Sequence, residues 1–178
     1  MDNLFFASVY SYANQEIWSD AIIILFAGYW EIVVAAVLLV YLWAPKFSKV
    51  DLRTRAVRVG WAALSATVAR FGIDSLIRLI YPRQRPFVTE DLNALIAQNP
   101  LESSFPSGHA TFFMALAVYL LLAGNKKLGL FMLASAVAIS IARVAAGVHW
   151  PSDILAGWAV GALVSFVIFK ISNRKKIQ

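Results

Sequence analysis

The chain holds two histidines, and each stands where a polar turn gives way to an apolar run. His109 closes the stretch Phe105-Pro106-Ser107-Gly108-His109. There Pro106 and Gly108 punctuate the backbone, Ser107 suits a helix N-cap, and Ala110 to Gly124 then runs almost without polar interruption. A helix starting here leaves backbone N–H groups unpaired and carries partial positive charge, so Ser107, Gly108 and His109 form a seat for a phosphate-like anion. His149 precedes Asp153 by four residues, with Pro151 between them as an expected first helical residue. A carboxylate in a helix's first turn reaches back to an imidazole N–H just outside it, which fixes the tautomer and leaves the other nitrogen as nucleophile or base. Arg78, Arg85 and Arg143 add planar, permanently charged forks that match phosphate oxygens. Taken singly, Arg143 anchors a helix end and His149 is an interfacial histidine; their joint arrival is what points to chemistry.

The elements that must position these residues follow from composition. A chain of 178 residues that is 60% hydrophobic and 15% charged, with mean hydropathy +0.69, has lipid as its main solvent. An all-α, integral membrane helical bundle is expected, as a single domain over residues 1–178. Cysteine is absent, so disulfides and thiolate metal sites are excluded.

The spacing predicts about five transmembrane spans. Met1 to Ser19 mixes apolar and polar residues and reads as an interfacial or short sixth helix; it lacks the basic start of a cleaved signal and is expected to stay in the mature chain. Spans are then predicted over Ala21 to Trp43, Val59 to Tyr81, His109 to Gly124, Leu128 to Ala146 and Ser152 to Ile171. Glu31 is the one charge of the first. The second carries Arg70, Asp74 and Arg78 on one face, with Arg70 and Asp74 expected to form a structural ion pair. The polar loop from Pro82 to Pro106 is expected to hold a short surface helix over Asp91 to Gln98, and Asn125-Lys126-Lys127 a tight turn.

Alternation of the spans sorts the charges. Lys46, Lys49, Arg53, Arg55, Arg58, Lys126, Lys127, Lys170, Arg174, Lys175 and Lys176 fall on one side, which the positive-inside rule makes cytoplasmic. This distribution accounts for the net charge of +6 without nucleic acid. Arg78, Arg83, Arg85 and Arg143 fall on the other side with both histidines, so the inferred site faces away from the cytoplasm.

Arg78-x6-Arg85-Pro86, Pro106-Ser107-Gly108-His109 and Ala142-Arg143-x5-His149-x3-Asp153 together resemble the type 2 phosphatidic acid phosphatase superfamily of membrane lipid phosphatases. That family's pattern is Lys-x6-Arg-Pro, Pro-Ser-Gly-His and Ser-Arg-x5-His-x3-Asp, in the same order. The resemblance implies a phosphohistidine mechanism with no metal ion or other cofactor. On it, His149 attacks phosphorus, Asp153 orients His149, and His109 protonates the leaving oxygen. Arg78, Arg85, Ser107, the Gly108 N–H and Arg143 bind the phosphoryl oxygens. Two positions depart from the pattern: Arg78 replaces a lysine, exchanging a point charge for a fork, and Ala142 replaces a serine. The small chain, the outward-facing site and Arg85-Pro86-Phe87-Val88 are similar to bacterial undecaprenyl diphosphate phosphatases. That likeness implies a multi-pass protein of the bacterial cytoplasmic membrane whose site faces the periplasm or cell exterior. The partners implied are a membrane lipid phosphate and the bilayer, with no nucleic acid. A phosphatidylglycerophosphate or lipid A phosphatase, or a lipid phosphotransferase sharing the intermediate, would use the same residues.

Overall fold

A chain segment in hydrocarbon must satisfy its own backbone polar groups, and in this protein it does so as helix. The computed structural model describes residues 2–43 and 50–174, and no strand occurs among them. The elements are α1 (Asp2–Tyr10), α2 (Ile17–Trp43), α3 (residues 52–80), α4 (Pro86–Thr89), α5 (Gly108–Leu122), α6 (Lys126–Ala145) and α7 (Pro151–Asn173). By length and composition alone, α2, α6 and α7 are long and apolar enough to cross a membrane. With α3 and α5 they make the expected bundle of five long helices, and the chain is a multi-pass membrane protein. At 9 residues, α1 is about 14 Å long and too short to span.

Several predicted boundaries move, each for a local reason. The helix expected from Ala21 starts at Ile17, because the Ser19 hydroxyl accepts from Glu16 N–H (3.4 Å) and the Asp20 carboxylate from Asn14 N–H (2.8 Å). The helix expected from Val59 starts at Leu52, where the Asp51 side chain caps it by accepting from Thr54 N–H at 3.0 Å. Arg53, Arg55 and Arg58 therefore lie on helix rather than in a loop. No helix forms over 91–98. Pro86 starts the single turn α4 instead, and Asp91, at φ 51°, ends the turn that follows it. Leu92 N–H then donates to Phe87 O and Leu95 N–H to Ala146 O, both at 3.1 Å, which lays the segment across the end of α6. Gly124, at φ 78°, makes the turn before α6, so Lys126 and Lys127 open that helix. Lys46, Lys49, Lys175 and Lys176 lie outside the described residues.

Burial is arranged for lipid. Leu39, Leu79, Ile80, Leu155 and Leu163 are exposed, while Ala62, Ala66, Ala69, Ala115, Ala117 and Ala136 are buried. Small residues let backbones approach where no hydrophobic effect drives helices together. Polar bonds add to this: Trp30 Nε1 donates to Ser135 Oγ (3.1 Å), Trp158 Nε1 to Ser140 Oγ (3.1 Å), and Ser165 Oγ to Ala115 O (2.6 Å).

Helix α5 is the axis of this packing, buried along most of its length between α3, α6 and α7. Its 15 residues span about 22 Å, less than the hydrocarbon core of about 30 Å. Helix α7 holds the N-terminus of α5 closely. A β-carbon at Gly157 would lie 2.7 Å from Ser107 O, and one at Gly161 would collide with Thr111 O. Gly161→Leu is therefore expected to lower stability by about 3 kcal/mol through overpacking. Gly60→Leu, at a position facing open space, serves as control. Thermal unfolding in detergent checks this: Gly161→Leu should melt well below Gly60→Leu, and equal melting temperatures would contradict the close contact.

Candidate active site

The three motifs meet because each arginine holds the backbone of another segment. Arg78, near the C-terminus of α3, donates from Nη2 to Pro106 O at 2.7 Å. Arg85, in the loop before α4, donates from Nη1 to Val148 O at 3.0 Å. Arg143, in the last turn of α6, donates from Nη1 to Ala27 O at 2.9 Å, inside a π-turn of α2 over Leu25–Tyr29. Two of the three guanidinium side chains are almost sealed from solvent, Arg85 at 2% and Arg143 at 3% exposure. In all three, Nε is buried without a hydrogen-bond partner.

Ser107 stands at the N-cap position of α5, yet its hydroxyl caps nothing; Oγ is buried and unpaired. Its N–H donates to Asp153 O at 3.0 Å, which joins the start of α5 to the first turn of α7. His149 lies in the non-helical connection between α6 and α7, with Nδ1 3.5 Å from Asp153 Oδ2. That separation is ion-pair range without hydrogen-bond geometry, and Nδ1 is otherwise unpaired. Burial, reinforced by Arg143, Arg85 and Arg78, pushes His149 well below the ordinary imidazole value. His109, in the first turn of α5, is within electrostatic reach of Arg143, His149, Arg70 and Arg78. Thus the residues expected at the site from sequence, His149, His109, Asp153, Arg78, Arg85, Ser107, Gly108 and Arg143, come together at one end of the bundle. Unpaired guanidinium nitrogens, an unpaired hydroxyl, a helix N-terminus and two imidazoles are groups of the kind that can hydrogen-bond a tetrahedral anion.

Residues 58–177 contain all of these groups and match the PAP2 superfamily. The chain belongs to that superfamily. It is accordingly a hydrolase acting on phosphate esters. This PAP2 protein is similar to the undecaprenyl-diphosphatase of Sulfolobus acidocaldarius, 30% identical over 138 residues that cover 78% of this chain and 67% of that one. It is also similar to undecaprenyl-diphosphatase BcrC of Bacillus subtilis, 27% identical over 168 residues that cover 94% and 82%. Its fold matches the crystal structure of Aquifex aeolicus LpxE with a TM-score of 0.68 at 20% identity, over 95% of this chain and 94% of that one.

Sequence reasoning missed some of the residues around this cluster. Arg83 emerges as the residue that holds Asp153: its Nη1 donates to Asp153 Oδ1 at 2.7 Å and to Ser152 Oγ at 2.6 Å, and its Nη2 donates to Asp2 Oδ2 at 2.8 Å. The second Asp153 oxygen accepts from Trp150 N–H at 2.8 Å. Asp2, from α1, accepts from Ser152 N–H and Oγ at 3.0 and 2.6 Å. Burial raises the Asp2 pKa, but the bonds from Ser152 and Arg83 outweigh it and hold the carboxyl below its usual range. Phe6 packs on Trp150 with ring centroids 5.1 Å apart. The N-terminal helix is thereby fastened to the end of the bundle that holds the histidines, a role its mixed composition did not announce. Glu31, read only as the charge of its span, lies 3.5 Å from His109 Nε2.

The Arg70–Asp74 ion pair does not form among the described residues. Asp74 Oδ1 instead accepts from Thr111 Oγ1 at 3.1 Å. The π-turn Val68–Ile73, which contains Arg70 and ends just before Asp74, shifts the four-residue register on which the pair depends.

Losing a charged hydrogen bond to Asp153 is worth about 1.5–3 kcal/mol. Arg83→Gln should therefore lower kcat roughly tenfold to a hundredfold in a protein that still purifies folded. Steady-state phosphate release checks this, and an unchanged kcat would show that Asp153 does not depend on Arg83.

Proposed function

We propose that this protein removes the terminal phosphate of a membrane lipid diphosphate, converting undecaprenyl diphosphate to undecaprenyl phosphate, through a phosphohistidine at His149 and without a metal ion. The observation that carries the reading is the gathering of unpaired buried donors, Arg78 Nε, Arg85 Nε, Arg143 Nε and Ser107 Oγ, around two histidines. Buried polar atoms in native proteins are rarely left unpaired, and those that are call for a functional account. Guanidinium groups of this number suit a substrate that brings more than one negative charge, and the names of the similar proteins from Sulfolobus acidocaldarius and Bacillus subtilis favour a lipid diphosphate.

The reaction has two displacements. With Nδ1 turned toward Asp153, Nε2 of His149 attacks the terminal phosphorus; an N–P bond forms as the bond to the bridging oxygen breaks. His109 gives its proton to that oxygen, and the lipid monophosphate leaves. Water then attacks phosphorus, the N–P bond breaks, the water proton returns to His109, and inorganic phosphate departs. Arg78, Arg85, Arg143, Ser107 and the Gly108 N–H hold the three equatorial oxygens through both steps. A donor set of two imidazoles and a carboxylate, ringed by guanidinium groups, favours an anion over a divalent cation.

The reading also assigns an orientation. Arg53, Arg55 and Arg58 open α3, Lys126 and Lys127 open α6, and Lys170 and Arg174 end α7, all at the end opposite the histidines. By the positive-inside rule the site opens to the periplasm or exterior of a bacterial cytoplasmic membrane.

The test uses purified protein in detergent with undecaprenyl diphosphate, phosphatidylglycerophosphate and phosphatidic acid, and measures free phosphate. The diphosphate should give the largest kcat/KM, with turnover insensitive to EDTA; a preferred monophosphate, or activity lost to EDTA and restored by Mg²⁺, would refute the respective part. His149→Ala should abolish turnover. Asp153→Asn should reduce it by roughly a hundredfold or more through the wrong tautomer, and near-normal rates in either variant would remove the assigned role.

A further inference from the structure

Arg70 lies outside all three motifs, yet it borders the same site. The π-turn that carries it, Val68–Ile73, brings the half-buried side chain over the start of α5. A β-carbon on Gly108 would run into the Arg70 guanidinium, so these two groups are in contact only because residue 108 is glycine. One face of the guanidinium rests on the Phe71 ring, 5.4 Å from its centroid. Among the described residues it makes no ion pair, with Asp74 or with any other carboxylate.

A cavity of about 470 Å³ opens at this point. Its polar end is formed by Glu31, Arg70, Gly108 and His109, and it continues between the apolar side chains of Val34, Leu38 and Leu116. The direction matters for in-line phosphoryl transfer, which places the leaving group opposite the nucleophile. His109 protonates the leaving oxygen, so the leaving group lies on the His109 side and the lipid runs into this cavity. In a lipid diphosphate the atom next beyond the bridging oxygen is a second phosphorus carrying negative charge. In a lipid monophosphate it is carbon. The Glu31 carboxylate, 3.5 Å from His109 Nε2, repels that second charge, and a cation is needed beside it.

We propose that Arg70 binds the inner phosphate of a lipid diphosphate and thereby sets the preference of this site for diphosphates over monophosphates. The assignment rests on the proposed reaction and adds a specificity residue to it. Phosphoryl transfer from a monophosphate leaves Arg70 with nothing to bind.

The test compares kcat/KM for farnesyl diphosphate and farnesyl monophosphate in wild type, R70Q and R70K, by phosphate release in detergent. The diphosphate-to-monophosphate ratio is expected to fall roughly tenfold or more in R70Q, the worth of one charge-assisted hydrogen bond. In R70K, which keeps the charge but loses the fork, it should fall less. An unchanged ratio in R70Q overturns the proposal even where both rates drop, because damage to the fold lowers both substrates alike. Should R70Q not purify folded, the R70K ratio decides in the same way, a value equal to wild type overturning the proposal. A wild-type enzyme that prefers the diphosphate while the variants keep its ratio removes only Arg70's role. A wild type with no preference for the diphosphate overturns the proposed substrate, and Arg70's role with it.

Discussion

Cations buried in a low-dielectric membrane protein are the constraint from which the rest follows. Moving a guanidinium out of water costs several kcal/mol even after relaxation, and an ion pair or a set of hydrogen bonds has to offset it. Here Arg78, Arg85 and Arg143 are each offset in part by one carbonyl, at Pro106, Val148 and Ala27 respectively, and Arg85 also by the exposed Glu102 carboxylate, 3.9 Å from its Nη2. Each of those carbonyls belongs to a different segment from its arginine. The same arginines are thus the cross-links that bring the Ser107 and His149 loops and helix α2 together, and each keeps a buried Nε donor unpaired. Polar groups this deeply buried would be a defect in an ordinary core; in a phosphate receptor they are preorganised.

Helix packing makes this cluster possible. The Gly157 and Gly161 surface of α7 lets the N-terminus of α5 approach backbone to backbone. Ser107 N–H on Asp153 O locks the two helix starts in register. The π-turns in α2 and α3 lie beside the site, one presenting Ala27 O to Arg143 and the other carrying Arg70. Such turns recur at functional sites because the local gain is a displaced carbonyl or side chain rather than stability.

Much of this was legible in the residues. The five helices followed from apolar length, and the spacing of arginine, histidine and aspartate relative to predicted helix ends pointed to the residues that the structure gathers at one end of the bundle. What escaped the sequence depends on tertiary structure. A π-turn has no propensity signature, so the register change that separates Arg70 from Asp74 could not be seen, and the four-residue spacing suggested a pair. Arg83 was visible as one of the outer-side arginines, but nothing in its spacing connects it to Asp153, some seventy positions along. The Asp51 cap is a local signal that was overlooked because the basic residues after it read as loop. The expected helix over 91–98 gave way to the backbone bonds that Leu92 and Leu95 make to Phe87 and Ala146, a case of tertiary contacts overriding propensity.

The central claim is that one tetrahedral anion completes the cluster formed by the two histidines and three guanidinium groups. The most direct measurement is a crystal structure of the protein with orthovanadate, which adopts the five-coordinate geometry of a phosphoryl group in flight. The account predicts vanadium bonded to His149 Nε2, equatorial oxygens on Arg78, Arg85, Arg143 and Ser107, and an axial oxygen facing His109. Vanadate bound elsewhere, or bound here with His149 turned away from the metal, would contradict it.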